Sequence, residues 1–545
     1  MIEAVRRWRA GREIARARRV RRRNGPEAAV QVLLASLDCF PEEAELWNEL
    51  SVLKIELKDF EAAARAVRRA LDIRPNLPQA HCNLGIVLAE GDEEEAALKG
   101  FERALELDPE LDVARENRAM LLSRIPRLDA AIAAWDEILG RDPQHPRAHA
   151  MKSGLLMCSG RFAEAGDCLS RAEALGIGTP DIALYRAVVE ADIGDPVRAA
   201  REIEALRGHV SDNNVDWNLA LVYLAQGDYA RGWPLYERRP TRTRARRRTY
   251  GLPEWDGKSL PAGALLVLAE QGLGDEVMFA SCYPDVLNRA PGCVIECDPR
   301  LAQLYRRTFP DAQVIGISRD NDGAWLRSYP QIQYRVLAGS LPRHFRTSIG
   351  SFPRHTGYLS VDPARVEEWR RRLAALPGHL NIGIAWSGGL AHTRRALRCI
   401  PLEDMAGLLR DMPHSFVSLQ HDDDGSEASR LAELSGMPVH RFPDALANID
   451  EQAALLSALD LIITACSSVV HLSGAVGART WVLTPRIPEW RYLHTGETMP
   501  WYPSVRLLRQ EHEGKWASVI AGAAADISAL DSLSPGGRHS MLAST

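Results

Sequence analysis

Pro41, Pro75, Pro109 and Pro143 stand 34 residues apart in a chain of 545. Proline ends an α-helix because it has no N–H to donate and its ring crowds the preceding turn. Four prolines in one register therefore mark four equivalent helix ends. Between them a pattern of apolar residues repeats, with Trp47, Leu50, Ala63 and Ala70 before Pro75 and Leu84, Gly85, Ala97, Phe101 and Ala104 before Pro109. Small residues such as Ala63, Gly85 and Ala97 let two antiparallel helices approach, while Trp47 and Phe101 fill the groove between hairpins. A fixed period of this length predicts stacked helical hairpins, each burying its core against its neighbours.

The period and its pattern resemble the tetratricopeptide repeat. Beyond Pro143 the register loosens: 146–210 reads as two irregular helical repeats, and Trp217, Asn218, Leu219, Gly227, Asp228 and Tyr229 read as a last one. An all-α array over 1–240 is expected. Solenoids of this kind leave a concave surface that takes peptide or protein, so a protein partner is expected there. Bracing of the rest of the chain, or a homo-oligomer formed through the array, is the competing reading.

A net charge of -5 over 545 residues points to no nucleic-acid partner. Nine cysteines without a Cys-x-x-Cys pair argue against a zinc or redox site and fit buried thiols in a reducing compartment. No apolar run reaches the roughly 18 to 20 residues that span a bilayer, and a cytoplasmic location is expected. Two arginine-dense stretches, Arg6–Arg23 and Arg238–Arg248, read as a solvated helix face and an exposed linker, with an anionic partner as the alternative.

After Tyr250 short β-branched runs alternate with helical ones, which predicts parallel strands joined by crossover helices. Leu265–Ala269 reads as a strand, followed by Glu270-Gln271-Gly272-Leu273-Gly274-Asp275 and a helix. Gly272 and Gly274 allow a tight turn, and the helix N-terminus offers N–H groups to an anion. Asp275 is either a helix cap or a functional carboxylate. A second unit has a strand over 382–386 running into Ser387-Gly388-Gly389 and a basic loop with Arg394, Arg395 and Arg398, after a helix opening at Asp362-Pro363. Glycine N–H groups with arginine forks suit a diphosphate. The strand 416–419 ends at Gln420-His421, and the strand 459–464 ends at Cys466-Ser467-Ser468 with His471 one turn on. Strand C-termini are where open α/β sheets bind ligands. Helix capping by Ser467 or Ser468, and simple packing of His471, are the alternatives there.

These blocks in order, with Tyr236-Glu237, Pro253-Glu254-Trp255-Asp256-Gly257 and Trp490-Arg491-Tyr492, resemble the heptosyltransferase-like bacterial glycosyltransferases linked to tetratricopeptide repeats. That group includes flagellin glycosyltransferases and is distantly similar to O-GlcNAc transferases. Ser387 departs from it, where many relatives have a basic residue. The resemblance implies a GT-B fold of two Rossmann-like lobes: a linker over 241–258, an acceptor-side lobe over 259–358, a donor-side lobe over 359–533 and a flexible tail over 534–545. It implies Asp275 as catalytic base, with His421 or His344 behind it. The donor, a nucleotide sugar, falls to Gly272, Gly274, Trp386, Ser387, Gly388, Gly389, Arg398, Gln420, Cys466, Ser467, Ser468 and His471. No cofactor is implied and metal independence is expected. The implied activity is sugar transfer to a protein serine or threonine; an inactive sugar-nucleotide-binding scaffold is the alternative. A chain beginning near Tyr250 is expected to keep donor binding.

Overall fold

A computed structural model describes residues 2–531 apart from 92, 126, 177–179, 242–247, 319–320, 322, 390–393 and 422, with the side chains of 2–9 and 531 outside the described set. The tail expected over 534–545 and most of the 241–258 linker's first half lie outside the described residues. The chain forms two compact units, 1–178 and 179–545.

The first unit is helical throughout its described residues. Its helices pair as hairpins: Ala44–Glu56 with Phe60–Ile73, Pro78–Glu90 with Glu94–Leu107, Asp112–Arg124 with Leu128–Arg141, and Pro146–Ser159 with Phe162–Ala174. Ile2–Asn24 and Pro26–Cys39 precede them. Each register proline follows its helix by two residues, as the sequence predicts, and one further device recurs with it. The side chain six residues on from each proline bonds its carbonyl: Trp47 Nε1 to Pro41 at 2.8 Å, His81 Nε2 to Pro75 at 2.8 Å, Arg115 to Pro109, and His149 Nε2 to Pro143 at 3.0 Å. A carbonyl at a helix end otherwise lacks a partner, so three different side-chain types meet one repeated requirement. Gly85 has a packing role, since a Cβ there would stand 2.7 Å from the Phe101 ring. The arginine stretch at the N-terminus is partly paired: Arg18 holds Glu49 through two bonds of 2.8 Å, and Arg21 meets Glu56 at 2.8 Å.

The second unit opens with four more helices, Pro180–Ile193, Pro196–Ala205, Asp212–Ala225 and Tyr229–Tyr236. Two separate sheets follow, and among the described residues no strand precedes them. The first is fully parallel: β1 (Leu265–Leu268), β2 (Val294–Cys297), β3 (Gln313–Gly316) and β4 (Tyr334–Leu337), in the order β3-β2-β1-β4. The second contains β5 (Asn381–Ala385), β6 (Ser415–Ser418), β7 (Val439–Arg441), β8 (Leu461–Ala465), β9 (Thr480–Thr484), β10 (Thr498–Met499) and β11 (Tyr502–Arg509). Its order is β10-β11-β9-β8-β5-β6-β7, parallel except for β10 at the edge. β1, β2, β5, β6, β8 and β9 are buried along most or all of their length, as strands covered by helices on both faces must be. Asp362 caps the helix Pro363–Ala374 through the N–H of Ala364 at 2.9 Å. An ion pair, Arg307 to Asp450 with two bonds of 2.7 Å, joins a helix of the first sheet to one of the second. No helix is long and apolar enough to cross a membrane, and all nine cysteines are free thiols.

Candidate functional site

Each sheet has one place where the chain reverses its direction of travel across the strands. In the first, β1 lies between β2 and β4; in the second, β5 lies between β6 and β8. Switch points of this kind, at the strand C-termini, are the crevices where open α/β sheets bind ligands. The loop after β1 carries Gly272, Gly274 and Asp275. The loops after β5 and β8 carry Trp386, Ser387, Gly388, Gly389, Cys466, Ser467, Ser468 and His471.

The second crevice is tightly built. Gln420, at the end of β6, accepts from the N–H groups of Trp386 (3.2 Å) and Ser387 (3.1 Å) and donates to Ser387 Oγ at 2.8 Å. It fixes the turn after β5 from below. Trp386 is buried and donates its indole N–H to Glu427 at 2.8 Å. A Cβ on Gly388 would lie 2.5 Å from Ser467 Cβ and 2.7 Å from the Cys466 carbonyl, so glycine is what lets the two loops touch; Gly389 has φ +82°. Ser467 is a helix cap, its hydroxyl accepting from Val469 N–H at 3.2 Å. Ser468 is exposed in the first turn. Cys466 is buried and its thiol is pushed up to about 12 by burial.

The helices Leu273–Ala280 and Ser468–Ala475 pack against each other and bring the two crevices together. Gly274 serves this contact, since a Cβ there would sit 2.8 Å from the His471 ring. His471 is buried, bonded through Nδ1 to Tyr502 OH at 3.2 Å, and held well below the usual imidazole range by burial and then by Arg491. It is a neutral packing residue at this junction.

Asp275 does not cap its helix. Gly272 is the cap residue, and Asp275 lies three positions on in the first turn. Its partner is Arg491 at 2.6 Å, from the turn after β9; Arg491 also pairs with Glu489, which holds Arg398 at 2.8 Å. Burial raises the Asp275 carboxyl above the ordinary aspartate value, the Arg491 guanidinium opposes that, and Glu489 and Glu270 add to the rise. Burial works against the charge of Arg491, and Asp275 and Glu489 more than offset it. Arg491 and Glu489 were absent from the residues assigned by sequence, although Arg491 lies in one of the blocks that carried the resemblance.

The helix Tyr229–Tyr236 forms a third wall. Trp233 is fully buried, donates to the Arg346 carbonyl at 2.7 Å, and meets Trp490 edge-on at 5.5 Å. Tyr236 OH donates to Gln271 at 3.1 Å. Arg239, 1% exposed, bonds Glu270 at 2.9 Å and Ser340 Oγ at 3.0 Å and pairs with Glu237 at 3.3 Å. At the far end of the same stretch Arg248 donates to the Ala269 carbonyl at 2.8 Å and pairs with buried Glu296. The exposed linker expected over Arg238–Arg248 holds for Arg238 and is corrected at Arg239 and Arg248, which neutralise the buried carboxylates Glu270 and Glu296. A run of arginines gives no sign of which are buried, because their partners are distant in sequence.

His421 bonds Gln452 on the helix Ile449–Ala458. His344 packs on Trp255 at 5.4 Å and accepts from Arg343, and burial lowers its basicity. Neither contacts Asp275. In the acidic run 422–424, Asp422 lies outside the described residues and Asp423 accepts from the N–H groups of Gly425, Glu427 and Ala428. Among the described residues no group of three or more potential ligands could hold a metal.

Comparison with known proteins bears out the repeat half directly. Residues 14–78, 54–112 and 117–180 match the tetratricopeptide repeat model. It is 31% identical over 349 residues to Protein FlbA of Caulobacter vibrioides, an alignment covering 61% of this chain and 58% of FlbA, so the chain spans less than two thirds of that relative's length. Among solved structures, a tetratricopeptide repeat protein from Parabacteroides merdae is 18% identical, covering 42% of this chain and 91% of its own, with a TM-score of 0.36. YrrB, a TPR protein with an unusual peptide-binding site, is 16% identical, covering 34% and 95%, with a TM-score of 0.29.

Proposed function

We propose that this chain is a GT-B glycosyltransferase that moves a sugar from a nucleotide-sugar donor to a serine or threonine hydroxyl of a protein, with the repeat array selecting the acceptor. The observation that carries the reading is the meeting of Asp275, at the switch point of one parallel sheet, with Arg491 and the Ser468–Ala475 helix at the switch point of the other.

The chemistry follows from the positions. A hydroxyl nucleophile needs a base within hydrogen-bond reach, and Asp275 has a carboxylate whose burial raises its proton affinity. The departing nucleotide phosphate gains negative charge as the sugar leaves. Arg491, Arg398 and the positive end of the Ser468–Ala475 helix are placed to stabilise this charge more in the transition state than before it. Gly388 lets the β5 loop close on the β8 loop, which sets the Ser387–Gly389 turn beside the start of the Ser468–Ala475 helix. The repeats supply a surface for a protein acceptor.

Calorimetry of the full chain against CMP-, UDP-, GDP- and ADP-linked sugars tests the donor half. One nucleotide class is expected to bind, and Ser468→Trp, which fills the mouth of the second crevice from an exposed position, is expected to abolish binding with the fold intact. Failure of all four classes to bind, or unchanged affinity in Ser468→Trp, rejects the assignment. Intact mass of candidate acceptor proteins, with and without this chain, tests transfer.

A further inference from the structure

Three charged or polar groups, Arg239, Glu270 and Ser340, are packed where water does not reach, with partly exposed Glu237 at their edge. Arg239 is 1% exposed and its guanidinium is divided among Glu270 on the β1 loop, Ser340 on the β4 loop and its own near neighbour Glu237. Glu270 also accepts from Gln271 Nε2 at 2.9 Å and from the Gly339 N–H at 3.4 Å. Burying such a pair in place of apolar side chains brings little or no stability, so the cluster asks for another explanation. Its location gives one. Arg239 spans the crevice between β1 and β4, and the β1 loop it holds is the loop that presents Asp275.

Tyr236, one turn earlier, reaches both sides of the site. Its hydroxyl holds Gln271, four residues before Asp275, and its ring meets Trp490, next to Arg491, at 5.6 Å. Arg239 stacks over the same ring at 5.2 Å. The Asp275 loop and the Arg491 turn come from different sheets, and these two side chains touch the approaches to both.

Resting on the glycosyltransferase reading, we propose that Tyr236 and Arg239 are positioning residues for the reaction: they set the register between the Gln271–Asp275 loop and the Trp490–Arg491 turn, so that Asp275 faces Arg491. The end of the repeat-like helical region is then part of the catalytic apparatus. Arginine is required at 239 because its planar fork reaches Glu270 and Ser340 together, which a lysine ammonium does not reproduce.

The test is a titration that needs neither donor nor acceptor, so that its failure is distinct from failure of the glycosyltransferase reading. In full-length protein with 13C-labelled aspartate carboxyls, the Asp275 signal is identified by its loss in Asp275→Asn. The charged and titratable groups facing Asp275 are Arg491, Glu489, Glu270, Tyr236 and His471, with Arg239 behind them, and Arg239→Lys leaves the charge of every one in place. A moved midpoint therefore reports geometry rather than a change in charge. In Arg239→Lys and in Tyr236→Phe the Asp275 midpoint is expected to rise by about one pH unit, a tenfold change in proton affinity, as the loop drifts from Arg491. Should Arg239→Lys not fold, Tyr236→Phe, which keeps the ring, decides alone. Folded variants in which Asp275 titrates as in the parent chain overturn the proposal.

Discussion

Asp275 and Arg491 lie 2.6 Å apart although 216 residues separate them, and they belong to loops of different sheets. Beyond Arg491 the charges alternate through Glu489 to Arg398. Four side chains of alternating sign leave the crevice nearly neutral, with both guanidiniums engaged. On the glycosyltransferase reading, a donor phosphate entering there would compete with Asp275 and Glu489 for them, which would couple donor binding to the ionic state of Asp275.

The first prediction concerns that carboxylate. Asp275→Asn keeps the shape of the side chain but removes the carboxylate that the glycosyltransferase reading makes the base. Sugar transfer should fall by roughly 100-fold or more, the usual scale of general-base catalysis, while donor affinity stays level or rises as Arg491 is released. Mass spectrometry of acceptor and calorimetry of donor on the same preparation check it. An Asp275→Asn protein that transfers at the parent rate assigns the base elsewhere.

How much of this was legible in the sequence depends on the range of the interactions. The repeats were, because a 34-residue period is a local signal. The strands beginning at Leu265, Asn381, Ser415 and Leu461 were also legible to within one or two residues, since each ends at a glycine or polar turn that breaks its apolar run. Trp386, Ser387, Gly388, Gln420 and Ser467 do converge, although Gln420 and Ser467 spend their side chains on bracing and capping. What was not legible is the pairing of distant charges. Nothing local distinguishes Arg239, buried against Glu270, from exposed Arg238 beside it.

Gly388 should prove intolerant for a steric reason. A Cβ at Gly388 meets the Cys466 carbonyl and Ser467, which are backbone or close to it and cannot yield. Gly388→Ala should destabilise the second unit by about 1–3 kcal/mol, the usual cost of overpacking. Gly522→Ala, where a Cβ meets nothing within 4 Å, is the control. Urea unfolding compares them, and equal midpoints would refute the close approach of the β5 and β8 loops.

Acid should weaken the fold through His471. Its folded-state proton affinity lies well below the ordinary 6.5, so between those two values the unfolded chain binds a proton that the folded chain does not. The stability associated with the neutral imidazole is present above 6.5 and is lost as pH falls through that window, at up to about 1.4 kcal/mol per pH unit for one proton. Unfolding free energies at pH 7.5 and 5.5 should differ more in the parent chain than in His471→Asn. His344, His355 and His494 shift in the same direction and remain in both proteins. Identical pH slopes would show that His471 becomes charged without cost.

In the repeat array, His149→Ala tests the proline-carbonyl device. His149 is 5% exposed and is the partner of the Pro143 carbonyl. Its loss leaves a helix-end acceptor unpaired and should cost about 1–3 kcal/mol, read as a lower urea midpoint of the first unit. His149→Gln, able to donate to the same carbonyl, should recover part of that loss, and a Gln variant no better than Ala would show that the ring's packing, not its bond, is what matters.

The last prediction concerns where the chain can be cut. The change from helix to strand after Tyr250 suggests a fragment beginning there, yet that cut removes Tyr229, Trp233, Tyr236 and Arg239, each 1–2% exposed in the second unit. Trp233 meets Trp490 and Trp501, Tyr229 meets Phe352 at 4.9 Å, and Arg239 neutralises Glu270. Losing three buried aromatics forfeits about 1.5–3 kcal/mol each, and a buried carboxylate stripped of its partner costs about 3–5 kcal/mol more. The total is comparable with the 5–15 kcal/mol by which a typical domain is stable. A fragment from residue 250 should therefore be recovered aggregated or without cooperative unfolding, whereas one from residue 179, the start of the second compact unit, should fold and bind donor. Circular dichroism melts and gel filtration of the two fragments decide it. If the shorter one melts cooperatively at the temperature of the longer, the helix Tyr229–Tyr236 is a dispensable wall, and the donor site needs only the two sheets and their own helices.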